Sequence, residues 1–234
     1  MRILDVPCGN GFYSRLLAKN LGPRGRIECV DVCPDYLART RQRLGHMKCD
    51  WEICKADAYQ LPFADETFDL IWCAQSLISL DDPLRALSEM KRVLRRRGFL
   101  AVLENDIFHH VLLPWPVDLE IPVQRAIRAA SKLRFGSSSK LAPARRIPHL
   151  FERAGLFDYR KQTIAADRQP PWSAAVRRFL HHHVAYLRHL IRTLLPEQTR
   201  RAFTRFTNPD GRHSLFNESA IDFTCLNVLY EARK

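Results

Sequence analysis

The sequence predicts an α/β fold: one domain built on a mostly parallel sheet, carrying a helical insertion. Three observations support this. Short apolar runs alternate with stretches whose apolar residues recur at helical spacing. The first run, Ile3, Leu4 and Val6, passes through a turn containing Gly9 and Gly11 into a helical pattern of Phe12, Leu16, Leu17 and Leu21. With 234 residues the chain can bury an ample core in one such domain with an insertion, but has little room for a second independent domain.

The turn is where a ligand is expected. Gly9 and Gly11 let a ligand approach the backbone without meeting a Cβ. The helix that follows points free N–H groups and its positive dipole end at the same place, which suits a carboxylate or a phosphate. A dinucleotide fingerprint would carry a third glycine, and Ser14 stands there instead. Asp5, inside the strand, would repel a pyrophosphate but could hold an ammonium group. These residues point to an amino-acid-bearing nucleoside.

The run Leu4-Asp5-Val6-Pro7-Cys8-Gly9-Asn10-Gly11 resembles motif I of the class I S-adenosylmethionine-dependent methyltransferases, usually D-x-G-C-G-x-G, with Pro7 in place of the first glycine. The resemblance continues along the chain. Ile27 to Val32 reads as the second strand, and Asp31, about 20 residues past the glycine turn, is placed to accept both ribose hydroxyls. Pro34 opens a helix through Leu44, and Trp51 to Cys54 is the third strand. Asp57-Ala58-Tyr59-Gln60-Leu61-Pro62-Phe63 resembles the family's adenine-contact segment, D-A-x-x-L-P-F. Thr67 to Cys73 is the fourth strand, with Gln75 and Ser76 at its carboxyl end, where open α/β sheets bind ligands.

Asp82-Pro83 caps a helix running through Leu94 to a basic end at Arg95-Arg96-Arg97, stopped by Gly98 before a fifth strand at Phe99 to Leu103. The stretch from Glu89 to Leu100 resembles the family's R-V-L-x-x-G-G-x-L signature. Further on, a helical run spans Val123 to Leu133 and another helix ends at Gly155; Phe157 to Ala165 and Phe223 to Tyr230 read as the last two strands. Between those strands, Trp172, Val176, Phe179, Leu180, Val184, Leu187, Leu190, Ile191, Leu194 and Leu195 form a helical stripe over 172–195 whose other faces carry Arg177, Arg178, Arg188, His189 and Arg192. Such a basic amphipathic helix either packs as a lid on the main domain, docks on an anionic membrane or meets a greasy, negatively charged substrate.

Lys and Arg total 37 against 25 Asp and Glu, a formal charge of +12. Residues 1–110 hold 16 basic against 15 acidic residues, and residues 111–234 hold 21 against 10. That excess in the second part is either a solvated surface or a face for something anionic. The seven cysteines contain no C-x-x-C pair, and most lie in or beside apolar strands, which fits a reducing cytoplasm. No signal segment or apolar run of transmembrane length is present in the sequence. His181-His182-His183 lie about 100° apart around a helix and cannot converge on one metal ion. Only Met1 and Arg2 precede the first strand, where proteins of this kind usually carry a covering helical segment, so either the start is shortened or the cover comes from elsewhere.

The resemblance thus implies a Rossmann-like class I methyltransferase fold: a seven-stranded mostly parallel sheet with an antiparallel last strand, formed by residues 1–166 and 220–234, with a helical insertion at 167–219. It implies S-adenosyl-L-methionine as cofactor, with Asp5 and the Cys8, Gly9, Asn10 and Gly11 backbone at the methionine end, Asp31 and Val32 at the ribose, Asp57 and Ala58 at the adenine, and Gln75 near the reacting centre. Asp106, His109 and His110 are candidates for a base, if the acceptor must lose a proton. Within the family the first half is similar to the methyltransferases of ubiquinone and menaquinone biosynthesis, which implies a small or lipophilic, quinone-like acceptor. Two other readings stand beside this one. The basic second part suggests an RNA methyltransferase, although Ala74-Gln75-Ser76 lacks an N-P-P-Y type motif and the insertion lacks interleaved aromatic and basic residues. The chain could also bind the cofactor without catalysis, as a partner subunit.

Overall fold

The computed structural model describes residues 1–106, 109, 111–136, 142–212, 214–216 and 222–234. In chain order the elements begin with β1 (Arg2–Asp5), α1 (Phe12–Asn20), β2 (Arg26–Asp31), α2 (Pro34–Leu44), β3 (Asp50–Lys55), β4 (Phe68–Ala74), α3 (Pro83–Val93) and β5 (Leu94–Glu104). They continue with β6 (Val111–Leu112), α4 (Val117–Phe135), α5 (Ile147–Arg153), β7 (Asp158–Arg168), α6 (Ala174–Ile191), α7 (Glu197–Thr207) and β8 (Phe223–Arg233). The chain divides into two compact units: Met1–Asn105, Pro143–Thr163 and Val228–Lys234 form the first, and Asp106–Ala142 and Ile164–Asn227 the second.

The sheet of the first unit has the order β3-β2-β1-β4-β5-β8, with β7 beside β8. Strands β1 to β5 run parallel, and β8 lies antiparallel to β5. Both faces of β1 and β2 are buried, so successive residues serve different cores. Leu4, Val30, Ile71, Leu100 and Val102 pack with Leu87 and Met90 of α3 and with Leu150 and Phe151 of α5. Ile3, Ile27 and Cys29 pack on the other side with Ala18 of α1 and with Leu37 and Leu44 of α2. The strand order reverses on either side of β1, so the carboxyl ends of β1 and β4 open at a topological switch point.

The arginine run differs from expectation. Arg95 to Arg97 do not end α3; they lie in β5, whose first residue, Leu94, is already extended and pairs with Phe68. The buried Leu94 fixes the strand's start, and exposed ion pairs accompany it: Arg95 Nη1 donates to Asp69 Oδ1 of β4 at 2.6 Å and Arg96 Nε to Glu66 Oε1 at 3.3 Å. Asp82 caps α3 as expected, its Oδ1 accepting from the Arg85 N–H at 3.0 Å.

In the second unit, the two-residue β6 adds an eighth strand to the seven expected, pairing antiparallel with Cys225 and Thr224 of β8. Helix α4 starts six residues before the expected Val123 and tolerates Pro122 in its second turn. It contacts α6 and α7, which is why residues 106–142 group with 164–227 although the sequence assigned them to the sheet domain; the expected insertion, 167–219, lies wholly inside this unit. Much of the stripe of α6 is used in packing: Leu180, Val184, Leu187 and Ile191 are buried, while Phe179 stays exposed. Helix α7 was not expected; its buried Phe203 stacks on Trp115 with ring centroids 5.9 Å apart. Among the described residues no helix is long and apolar enough to cross a membrane.

Phe151 is fully buried where α5 meets Tyr159 and Tyr230. Phe151→Ala is expected to cost about 3–5 kcal/mol, seen in urea denaturation as a lower midpoint with little change in slope.

Candidate cofactor site

The site grows from the loop between β1 and α1. Its backbone is fastened to both neighbouring strands: the Val6 N–H donates to Trp72 O at 2.9 Å and the Cys8 N–H to Val30 O at 2.8 Å. Gly9 and Gly11 both have left-handed φ, +53° and +77°. At Gly11 a Cβ would come within 2.7 Å of the Thr40 backbone on α2, whereas at Gly9 it would meet nothing within 4 Å. Glycine at position 11 thus serves packing, and at position 9 it leaves the backbone open to a ligand. No side chain caps the start of α1, so its first N–H groups are left for an outside acceptor.

Asp31, at the carboxyl end of β2, holds this loop. Its Oδ2 accepts from the Gly9 N–H and its Oδ1 from the Cys33 N–H, both at 2.9 Å, while Thr40 Oγ1 donates to Gly9 O at 3.0 Å. Each carboxylate oxygen keeps a second lone pair for a hydroxyl. Across from it, Asp57 Oδ1 accepts from the Tyr59 N–H at 2.9 Å. The segment after Asp57 is clamped to α3: the Leu61 N–H donates to Glu89 Oε1 at 2.9 Å, and Arg92 donates to Leu61 O and Phe63 O at 3.0 and 2.9 Å.

Between these groups lies a cleft of about 200 Å³. Asp31, Val32, Asp57 and Ala58 line it, joined by Pro7 and Tyr59 of the two quoted motifs and by residues 79–81, which the sequence did not point to. Val32 is exposed there, an apolar face between two carboxylates. The other predicted residues stand around the cleft without lining it. Cys8 to Gly11 form the loop tied to Asp31, and Gln75, with φ +51°, donates its N–H to Leu103 O at 2.7 Å. Asp5 is 1% exposed beneath the loop, its Oδ2 accepting from Ser14 Oγ at 2.5 Å.

Glu104, at the carboxyl end of β5, was missed. It is 1% exposed and its Oε1 accepts from the Ser76 and Leu77 N–H groups at 2.9 and 2.7 Å, fixing the loop after β4. The signal available was slight: one acid ending the apolar run Ala101-Val102-Leu103. Burial raises Asp5 and Glu104 alike to about 7. Both carboxyls also raise the Tyr13 hydroxyl, after burial, and Tyr13 lies 5.5 Å from the Trp72 ring. The buried indole N–H of Trp72 has no acceptor among the described residues.

Asp106 and His109 belong to the second unit, with Oδ2 and Nδ1 3.6 Å apart; His110 lies outside the described residues. The histidines of α6 point to different partners, His181 stacking on Phe216 and His182 Nδ1 meeting Arg178 O at 2.6 Å. No group of potential metal ligands occurs among the described residues.

Comparison with known proteins bears on this site. Residues 4–102 match the family model described as a methyltransferase domain. Ubiquinone/menaquinone biosynthesis C-methyltransferases of Cupriavidus necator and Bordetella avium are 31% and 38% identical over 125 and 126 residues, in each case 49% of this chain and 51% and 49% of theirs. The chain thus spans about half the length of these curated relatives. A crystal structure from Bacillus halodurans, described as a methyltransferase, superposes with a TM-score of 0.62 at 18% identity, covering 100% of this chain and 92% of that one. This last likeness establishes the fold.

Two expectations follow from the geometry. Between the unfolded carboxylate range near pH 4 and the folded value of about 7, the native protein binds more protons through Asp5 and Glu104 than the unfolded chain, so their contribution to stability falls as pH rises through that window. Chemical denaturation at pH 5, 6 and 7 should show that slope reduced in Glu104→Gln. Gly11→Ala should lose about 1–3 kcal/mol in the same assay, since both its φ and the Thr40 backbone oppose a Cβ.

Proposed function

We propose that this chain, whose residues 4–102 match a methyltransferase domain, is a class I S-adenosylmethionine-dependent methyltransferase that transfers the methyl group of S-adenosylmethionine to a lipophilic, quinone-like small molecule. The observation that carries the cofactor half of this reading is the cleft, where Asp31 and Asp57 face an open space floored by Val32 and Ala58. In this proposal the second lone pairs of Asp31 take the ribose hydroxyls, and Asp57 takes the adenine amino group beside the Ala58 backbone. The open backbone at Gly9 and the uncapped start of α1 receive the methionine carboxylate. Asp5 acts from beneath the loop, through Ser14 and the field of its carboxyl, and Gln75 borders the reacting centre.

The cofactor supplies an activated methyl group. What the chain must add is position: a loop that cannot drift, because Asp31 and Thr40 tie it to β2 and α2, and an acceptor held in line with the sulfonium. The quinone-like acceptor rests on the C-methyltransferases of ubiquinone and menaquinone biosynthesis that the first half is similar to.

The test is calorimetric titration with S-adenosylmethionine and S-adenosylhomocysteine, followed by transfer of labelled methyl to prenylated quinols. The wild type should bind both ligands. Asp31→Ala should weaken binding at least about a hundredfold, the loss of two hydrogen bonds to a charged acceptor, and Asp31→Asn should fall between. Absence of binding by folded protein refutes the cofactor assignment, while binding without transfer to quinols or other lipophilic acceptors refutes the enzymatic one.

A further inference from the structure

Within the second unit, four arginines gather with one acid, Glu197, paired among them. The 3₁₀ turn Arg192–Leu194 and α7 border a groove of about 520 Å³, lined by Arg192, Thr193, Arg200, Arg201, Thr204 and Arg205. Helical spacing brings them together: Arg200 with Thr204, and Arg201 with Arg205, are one turn apart, along the edge of the buried stripe of Phe203 and Thr207. Arg201 pairs with Glu197 one turn earlier. Among the described residues, the guanidinium groups of Arg192, Arg200 and Arg205 make no ion pair. In the first unit, by comparison, Arg26, Arg92 and Arg95 each hold a carboxylate.

Like charges crowded into one concavity repel one another, and an anion bound among them offsets that repulsion. We infer that this groove binds a phosphorylated ligand. Guanidinium forks match phosphate oxygens two at a time, and the hydroxyls of Thr193 and Thr204 add donors that turn to suit. The volume falls within the range of about 300–1,000 Å³ usual for small-molecule sites, enough for a diphosphate with an organic substituent. This inference is independent of the methyl-donor site, which lies in the other unit.

Pyrophosphate is the probe, titrated by calorimetry into the full chain at low salt. The wild type should show one saturable site whose affinity falls as salt rises. Arg200→Gln with Arg205→Gln should weaken it about tenfold or more, whereas Arg125→Gln with Arg178→Gln, which removes the same charge from exposed positions of α4 and α6, should change it less than about threefold. Should the groove pair fail to fold by circular dichroism, Arg205→Lys keeps the charge but loses the fork and should still weaken binding.

A second arm separates the sources of phosphate, using co-sedimentation with vesicles of phosphatidylglycerol or of phosphatidylcholine. Binding to the anionic vesicles that depends on Arg200 and Arg205, without pyrophosphate binding, assigns the groove to a lipid headgroup. Pyrophosphate binding without vesicle binding assigns it to a soluble ligand. If neither probe binds, or if both charge-removal pairs weaken binding equally, the groove is a solvated basic surface and the inference is overturned.

Discussion

The cleft depends on the two hydrogen bonds that Asp31 accepts. One oxygen takes the Gly9 N–H and the other the Cys33 N–H, so a single side chain joins the loop after β1 to the start of α2. Hydrogen bonds to a charged acceptor contribute more than neutral ones, about 1.5–3 kcal/mol each. Thr40 closes the arrangement from α2, donating to Gly9 O while its backbone occupies the space a side chain at position 11 would need. The acid read from the sequence as a ligand group is therefore also a fastener, and the loop's shape and any affinity the cleft has for a ribose rest on the same atoms.

Much of this was legible in the sequence, and particular residues show why. Pro34 and Asp82-Pro83 mark the starts of α2 and α3 because proline at a first helical position and an aspartate cap are local preferences that need no distant partner. Asp31 and the two glycines could be read because their spacing from apolar strands places them at carboxyl ends before any packing is known, and Asp57 because its segment resembles D-A-x-x-L-P-F. The arginine run could not. Whether Arg95 continues a helix or joins a strand depends on the pairing of Leu94 with Phe68, which are neighbours only in the folded sheet. Glu104 was hidden for a similar reason: an acid at the end of a strand is ordinary until the Ser76 and Leu77 N–H groups converge on it.

The second unit divides in the same way. The stripe of α6 is periodic enough to read, and its boundaries fall inside the expected span. In α7 the apolar positions are few and arginine-rich turns surround them, so Phe203 and Phe206 gain meaning only from Trp115, whose ring lies 5.9 and 5.2 Å from theirs.

Arg92 reaches Leu61 O and Phe63 O while its helix partner Glu89 accepts the Leu61 N–H, so α3 adds to the local turn that Asp57 makes with Tyr59 and Gln60. The segment flooring the cleft borrows part of its order from α3, whose Ala86, Leu87, Met90 and Val93 are buried in the larger core. Opening the floor therefore disturbs a helix packed into that core. An adenine-sized ligand would meet a surface that is already ordered, and little conformational entropy remains to be lost on that side of the cleft when it arrives.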